Sequence, residues 1–214
     1  MTVAPTRPST GTEDGGRLFL LRHGEVEKTG AGRRYIGQQD LPLSDRGRVQ
    51  AEAWAAYFAT VELDTIVCSD LSRCLDTARI IGAASRQTPR ARPELREIAL
   101  GAWEGQSFAG IQRRDPQAFQ QRGRRIADHR PPGGESFRDL DRRVWPFFQE
   151  RLRHPQSRTL VVTHAGVIRV LLCRLLGMPL ENLFSIGVDY GGLSIIAIRP
   201  AGVRLQALNL PAPV

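Results

Sequence analysis

The pattern of apolar and polar positions predicts short buried strands that alternate with helices. Five runs have the length and composition of strands, at residues 18–21, 64–68, 159–163, 193–198 and 203–208. A continuous apolar run such as the first is typical of a strand covered on both faces. Residues 94–97 are expected to add a short edge segment. The alternation predicts an α/β fold with a doubly wound, mainly parallel sheet flanked by helices, and the last two strands favour an antiparallel edge.

Helical spacing of apolar residues is found between these strands. Ser44 is predicted to cap a first helix, whose apolar face is expected to contain Val49, Ala53, Ala56 and Tyr57. Further helices are predicted at residues 71–81, at residues 137–152 after the capping residue Ser136, and at residues 167–176 before Gly177. The polar stretch 107–125 is expected to form short exposed helices broken at Pro116.

The 214 residues suffice for one domain with one sizeable core. Residues 1–16 are polar and rich in Pro, Gly and Thr, which predicts a disordered tail rather than a secretory signal. Residues 17–210 are assigned to the domain, with 98–135 as a variable segment that covers the substrate. No apolar run is long enough to span a bilayer, so the expectation is a cytoplasmic protein with no membrane contact.

The amino-acid composition indicates which classes of ligand and partner the chain favours. The net charge is +8, carried almost wholly by arginine because Lys28 is the only lysine. Such a charge attracts anionic substrates or nucleic acid. Nucleic acid is the less favoured partner, since the arginines are scattered along the chain and few aromatics lie among them. Neither the four histidines nor the three cysteines have metal-ligand spacing, so no metal, no cofactor and no disulfide is expected. The oligomeric state is open, a homodimer included.

Two predicted strands end in a histidine followed by a small residue. Arg22 and His23 come directly after the first strand, and His164 follows the strand at 159–163. Because ligands of open α/β sheets bind at the carboxyl ends of the strands, both imidazoles are expected in one crevice. Arg73, in the first turn of a predicted helix, and the N-terminus of the helix that begins at Ala165 would add donors suited to phosphate.

Six ordered motifs then resemble those of a known family. In one-letter code they are RHGE at 22–25, GQQDLPLS at 37–44, SDLSR at 69–73, Glu97 ahead of GAWEG at 101–105, PGGES at 132–136 and THAG at 163–166. This order resembles the histidine phosphatase superfamily, which includes phosphoglycerate mutases and acid phosphatases, over roughly residues 17–200. The motifs are most similar to those of the small phosphatase branch, which includes α-ribazole phosphatases. The resemblance implies the phosphoglycerate mutase-like fold.

The resemblance also implies a role for each matching residue. His23 would be the nucleophile that forms phosphohistidine, and Glu97 the general acid and later the general base. Phosphate-binding residues would be Arg22, Arg73, His164, Thr29 and Ala165. Thr29 stands where the family often carries asparagine, so only one hydrogen bond from its hydroxyl is expected. Residues expected to cover the substrate are Tyr35, Ile36 and Trp103.

Three functions are compatible with these motifs. The favoured one is a phosphomonoesterase that hydrolyses a small phosphorylated metabolite, with α-ribazole 5'-phosphate as one candidate. A phosphoglycerate mutase is the alternative, although only about sixty residues separate Trp103 from His164, which favours access of water and hydrolysis. A non-catalytic phospholigand-binding module is the third. Phosphate release that disappears in His23→Ala would exclude this last reading.

Overall fold

The computed structural model describes residues 16–28, 30 and 32–213. Its strands are β1 (Arg17–Arg22), β2 (Thr65–Cys68), β3 (Arg90–Ala91), β4 (Arg158–Thr163), β5 (Leu193–Arg199) and β6 (Gly202–Leu210). Its α-helices are α1 (Asp45–Phe58), α2 (Ser72–Ser85), α3 (Phe108–Arg114), α4 (Pro116–Arg124), α5 (Phe137–Leu152) and α6 (Ala165–Leu175). Short 3-10 helices span Pro93–Leu95, Gly101–Trp103 and Leu180–Ser185.

The strands form one six-stranded sheet in the order β3-β2-β4-β1-β5-β6. The four strands from β3 to β1 are parallel, whereas β5 and β6 are antiparallel to their neighbours. The prediction of a mainly parallel sheet with an antiparallel edge is therefore confirmed. Because β1 and β4 are adjacent and in register from Arg17–Arg158 to Arg22–Thr163, the residues that follow them leave the sheet side by side.

Alternate residues of β1 serve two hydrophobic layers. Leu18 and Leu20 pack toward α5 and α6, while Phe19 and Leu21 pack toward α1 and α2. This alternation explains why the whole strand is apolar, since both faces of the sheet are covered by helices. The three cysteines are free and buried within these layers. No helix among the described residues is long and apolar enough to cross a membrane.

Helix α1 begins as predicted but buries a different face. Ser44 Oγ accepts a hydrogen bond from the N–H of Gly47, which confirms the cap. Val49 is 51% exposed, so the predicted apolar face is wrong. The buried face instead contains Ala51, Trp54, Ala55 and Phe58. This second set also has helical spacing and contains larger aromatic rings. Its burial therefore removes more apolar surface from water.

The predicted edge segment at 94–97 is also wrong. The edge strand β3 ends at Ala91, and a 3-10 helix follows at Pro93–Leu95. Pro93 has no N–H to donate to a neighbouring strand, which explains why the pairing stops before it. The turn that results brings Glu97 back toward the carboxyl edge of the sheet, where its carboxylate bonds the first turn of α6.

The domain boundaries predicted from composition stay predictions. Residues 1–15 lie outside the described residues. Gly16, which the prediction placed in the tail, is buried, and its N–H donates to the carbonyl of Pro155 while its carbonyl accepts from Ile198. Gly16 is thus the first described residue that hydrogen-bonds to the domain.

Candidate active site

Two histidines lie together where β1 and β4 end. The ring centroids of His23 and His164 are 5.1 Å apart at an interplanar angle of 65°. Their residues are only 4% and 1% exposed. The sheet register produces this proximity, as the two strand ends predicted.

The hydrogen bonds of His23 define which ring nitrogen is free. Nδ1 lies 2.8 Å from the carbonyl oxygen of Gly24. A carbonyl oxygen can only accept, so Nδ1 carries the proton and Nε2 of the neutral ring keeps its lone pair. Burial, followed by the nearby charges of Arg22 and Arg73, holds the pKa of His23 well below its usual range. The imidazole is therefore neutral and nucleophilic near neutral pH.

His164 is kept neutral by the same surroundings. Burial lowers its pKa first, and His23, Arg73 and Arg22 lower it further. Its Nε2 lies 3.4 Å from the Sγ of Cys74, a buried thiol whose pKa is raised by burial. A sulfur atom is a weak acceptor, so Cys74 does not compete with a stronger acceptor, such as a phosphoryl oxygen, for an N–H of His164.

Arg22 is held by a segment that the sequence analysis did not assign to the site. Its Nη1 donates to the carbonyl of Val188 at 2.8 Å, and its guanidinium carbon lies 3.7 Å from the ring centroid of Tyr190. The same ring lies 5.5 Å from that of His23. Tyr190 is thus a functional candidate that was missed, because a lone half-buried tyrosine in a turn has no distinctive sequence signal.

Arg73 is also fixed by main-chain acceptors. Its residue is 1% exposed, with Nη1 donating to the carbonyl of Gln39 at 2.8 Å and Nη2 to that of Gly37 at 2.6 Å. The Nε atoms of Arg22 and Arg73 are both buried without a partner, and no carboxylate of the described residues forms an ion pair with either. A buried guanidinium nitrogen without a partner is costly, so this pair favours a bound anion.

The loop at residues 37–39, whose carbonyls accept hydrogen bonds from Arg73, is itself held by Glu104. This carboxylate accepts the N–H groups of Gly37, Gln38 and Gln39 at 2.7, 3.2 and 3.0 Å. Glu104 therefore anchors this loop, and its carboxylate fixes the two carbonyls on which Arg73 depends.

Glu97 enters the site from the other side. Its Oε2 accepts from the N–H of Gly166 at 3.0 Å, and its Oε1 from the N–H of Ile98 at 2.9 Å. Ala165 begins α6, so the carboxylate lies against the N-terminal turn that directly follows His164. The charge of Glu97 acts on Arg22, since it opposes the lowering of the pKa of Arg22 by burial.

The predicted substrate-covering residues do not come together at this site. Tyr35 and Trp103 are each 3% exposed and belong to the hydrophobic core. Tyr35 stacks on Phe108 with ring centroids 4.0 Å apart, and Trp103 packs against Tyr35 at 5.0 Å. Both rings support the 98–135 segment internally, so the prediction that they cover the substrate is corrected. Ile36 is half-buried in the same loop, and Thr29 lies outside the described residues.

Within the part of the chain that the structure describes, no group of three or more His, Cys, Asp or Glu side chains is arranged to hold a metal ion.

Comparison with known proteins gives one family and several close relatives. The model of the histidine phosphatase superfamily (branch 1) matches residues 18–211. Adenosylcobalamin/alpha-ribazole phosphatase of Escherichia coli is 34% identical over 196 residues, which cover 90% of this chain and 95% of the relative. Glucosyl-3-phosphoglycerate phosphatase of Mycolicibacterium vanbaalenii is 38% identical over 174 residues, with 78% and 76% covered.

A solved structure agrees with the sequence matches. The crystal structure of a putative alpha-ribazole-5'-P phosphatase from Escherichia coli superposes with a TM-score of 0.83 at 33% identity, covering 92% of this chain and 97% of that one. The span of the family model, residues 18–211, includes every described residue placed at the site above.

Proposed function

This chain belongs to the histidine phosphatase superfamily and is a phosphatase, and on that premise we propose that His23 is the nucleophile that hydrolyses phosphomonoesters of a small metabolite. The observation that carries the proposal is a neutral imidazole with a free Nε2, whose ring centroid lies 5.1 Å from that of a second imidazole, beside two arginines whose buried Nε atoms have no partner. This combination suits a dianionic phosphoryl group attacked by nitrogen.

In the first step Nε2 of His23 attacks phosphorus. The N–P bond forms as the bond from phosphorus to the ester oxygen breaks. Arg22, Arg73 and His164 hold the phosphoryl oxygens and offset their charge, which is the dominant contribution to phosphoryl transfer. Glu97 supplies the proton that the departing alkoxide takes.

In the second step water attacks the phosphohistidine. Glu97, now a carboxylate, removes a proton from the water as the new oxygen–phosphorus bond forms. The N–P bond breaks and its electron pair returns to Nε2, so the original tautomer of His23 is restored. The hydrogen bond from Nδ1 to Gly24 fixes the ring through both steps, which aligns Nε2 without further ordering.

The leaving group is the finer part of the proposal. We take α-ribazole 5'-phosphate as the first candidate because relatives at 34% and 33% identity carry that substrate in their names. The relative at 38% identity is named for a phosphorylated sugar acid, so glucosyl-3-phosphoglycerate is the second substrate for testing. The segment at 98–135, which carries little of the phosphate site, is where the two should be told apart.

The test is phosphate release from a panel containing both esters and 3-phosphoglycerate, with the chain and its His23→Ala variant. We expect the wild-type chain to release phosphate and the His23→Ala variant to release none. We also expect the wild-type protein to carry a labelled phosphate that survives base but not acid. Bisphosphoglycerate-dependent isomerisation of 3-phosphoglycerate without phosphate release would identify a mutase instead. Tight binding of an ester without any release would identify a binding module.

A further inference from the structure

We infer that Arg143, together with Glu135, is a positioning residue that holds Glu97 where it can protonate the leaving group. The inference rests on the proposed role of Glu97. Neither side chain is part of the two-histidine cluster, and the sequence motifs give Arg143 no role.

All five N–H groups of the Arg143 guanidinium are used by the protein. Nη1 donates to the carbonyls of Glu94 and Arg96 at 2.8 and 3.0 Å, and one N–H of Nη2 donates to the carbonyl of Glu97 at 3.1 Å. The remaining two, on Nε and Nη2, form a two-pronged pair with the Glu135 carboxylate at 2.8 Å each. Such a fork is stronger and more directional than single contacts.

Glu135 extends this support to the other side of Glu97. Its Oε2 accepts the N–H of Ala99 at 2.9 Å, and its own N–H donates to the carbonyl of Ala99 at 2.7 Å. Gln38 adds a second bond to the carbonyl of Glu97, from Nε2 at 3.0 Å. The backbone on both sides of the carboxylate is therefore fixed by side chains.

This segment needs such support because it has little regular structure. The 3-10 helix ends at Leu95 and the next begins at Gly101, so no helix or strand ladder holds residues 96–100. A general acid must lie within hydrogen-bond reach of the atom that it protonates. Misplacement by about 1 Å costs on the order of 100-fold in rate.

Arginine is the residue type that this geometry requires. Lysine keeps the charge but carries three donors on a point-like group, which cannot serve three carbonyls and a two-pronged carboxylate together. Arg143→Lys is therefore expected to keep the helix and the charge while loosening Glu97.

The test compares two kinds of ester. An alkyl ester such as glycerol phosphate needs a proton on its leaving group, whereas p-nitrophenyl phosphate releases a stable phenolate and needs none. We expect Arg143→Lys to lower kcat/KM for the alkyl ester by about 10- to 100-fold, because kcat/KM reports the step in which the leaving group departs and not the later attack of water. We expect kcat/KM for the aryl ester to fall less than threefold, so that the ratio of the two kcat/KM values drops.

A matched control lies one residue away on α5. Arg142 is 67% exposed in its side chain and pairs only at the surface with Asp139, so Arg142→Lys should leave the ratio unchanged. Should Arg143→Lys not fold, Glu135→Gln replaces it, since this nearly isosteric change breaks the two-pronged pair and leaves the carbonyl contacts. Equal losses for both esters, or an unchanged ratio, in whichever variant folds would overturn the inference.

Glu97→Gln separates this inference from the proposed function. If Glu97 is the acid, Glu97→Gln alone lowers the alkyl-to-aryl ratio, and adding Arg143→Lys to it lowers the ratio no further. A Glu97→Gln variant with the ratio of the unchanged chain refutes the general-acid role itself. A lowered ratio in Glu97→Gln with none in Arg143→Lys refutes only the positioning role.

Discussion

The two buried histidines should make the protein lose stability in mild acid. The pKa values of His23 and His164 both lie well below the usual range, first because the rings are buried and then because neighbouring charges oppose protonation. In the unfolded chain a histidine titrates near 6.5. As pH falls, the unfolded state therefore binds protons that the native state does not, and stability present above about pH 6.5 is lost below it.

The size of this loss follows from proton linkage. With both native rings neutral throughout, lowering the pH from 7.5 to 5.5 costs about 1.4 kcal/mol for each histidine. The pair accounts for about 2.7 kcal/mol, a large fraction of the 5–15 kcal/mol (roughly) that stabilises a typical domain. Most carboxylates titrate below this window, so the histidines dominate the change.

Urea unfolding at half-unit steps between pH 7.5 and 5.5 measures the effect. The free energy of unfolding should fall over this interval, and His164→Asn or His23→Asn should each remove about half of the fall. A free energy that stays flat in the unchanged chain refutes the argument. So does a fall that persists in full when both rings are replaced.

Three further substitutions test the site. In Gly166→Ala the added Cβ would overlap Oε1 of Glu97, so the carboxylate must turn away and alkyl-ester turnover should fall about 100-fold; turnover equal to that of the unchanged chain contradicts this. Glu104→Gln should raise the inhibition constant of inorganic phosphate about tenfold, because it weakens the hydrogen bonds that hold the loop at residues 37–39, on which Arg73 depends. Tyr190→Ala should raise the same constant about threefold or more by removing the ring against Arg22, whereas Tyr190→Phe should not.

The proximity of the two histidines was predictable because it depends on strand order alone. His23 and His164 each follow an apolar run, and parallel neighbours place their carboxyl ends together. Apolar runs report burial directly, so both strands could be located without knowledge of any contact. The same reasoning located the capped helices α1 and α5, whose first residues follow Ser44 and Ser136.

The supports of the site were not predictable, because most of their acceptors belong to the main chain. Arg73 depends on the carbonyls of Gly37 and Gln39, and Arg22 on that of Val188. Every residue has a carbonyl, so no sequence pattern marks the ones that an arginine will reach. Arg143 is hidden for the further reason that it stands among other arginines on α5, most of which lie at the surface.

The error over Tyr35 and Trp103 has a different cause. An aromatic residue in a loop near predicted site motifs is compatible with both a substrate contact and a core contact, and only packing decides between them. Here the stacking of Tyr35 on Phe108 decides for the core. Phe108 lies in a polar stretch of the sequence. A single aromatic residue there forms no periodic apolar pattern, so its contact with Tyr35 could not be predicted.

The charges of the site also decide which form of the substrate it accepts. Arg22 and Arg73 each have a buried Nε atom without a partner, and the low pKa values of His23 and His164 keep both rings uncharged at neutral pH. A phosphate ester takes its second negative charge near pH 6. Above that pH the dianion meets two guanidinium groups and a nucleophile that is neutral, so its charge is offset. Below that pH the ester loses a negative charge. The higher proton concentration also favours the unfolded chain. Activity and stability should therefore decline together in acid, because the ester loses its second charge over the same pH range in which the unfolded chain takes up protons that the two buried histidines do not.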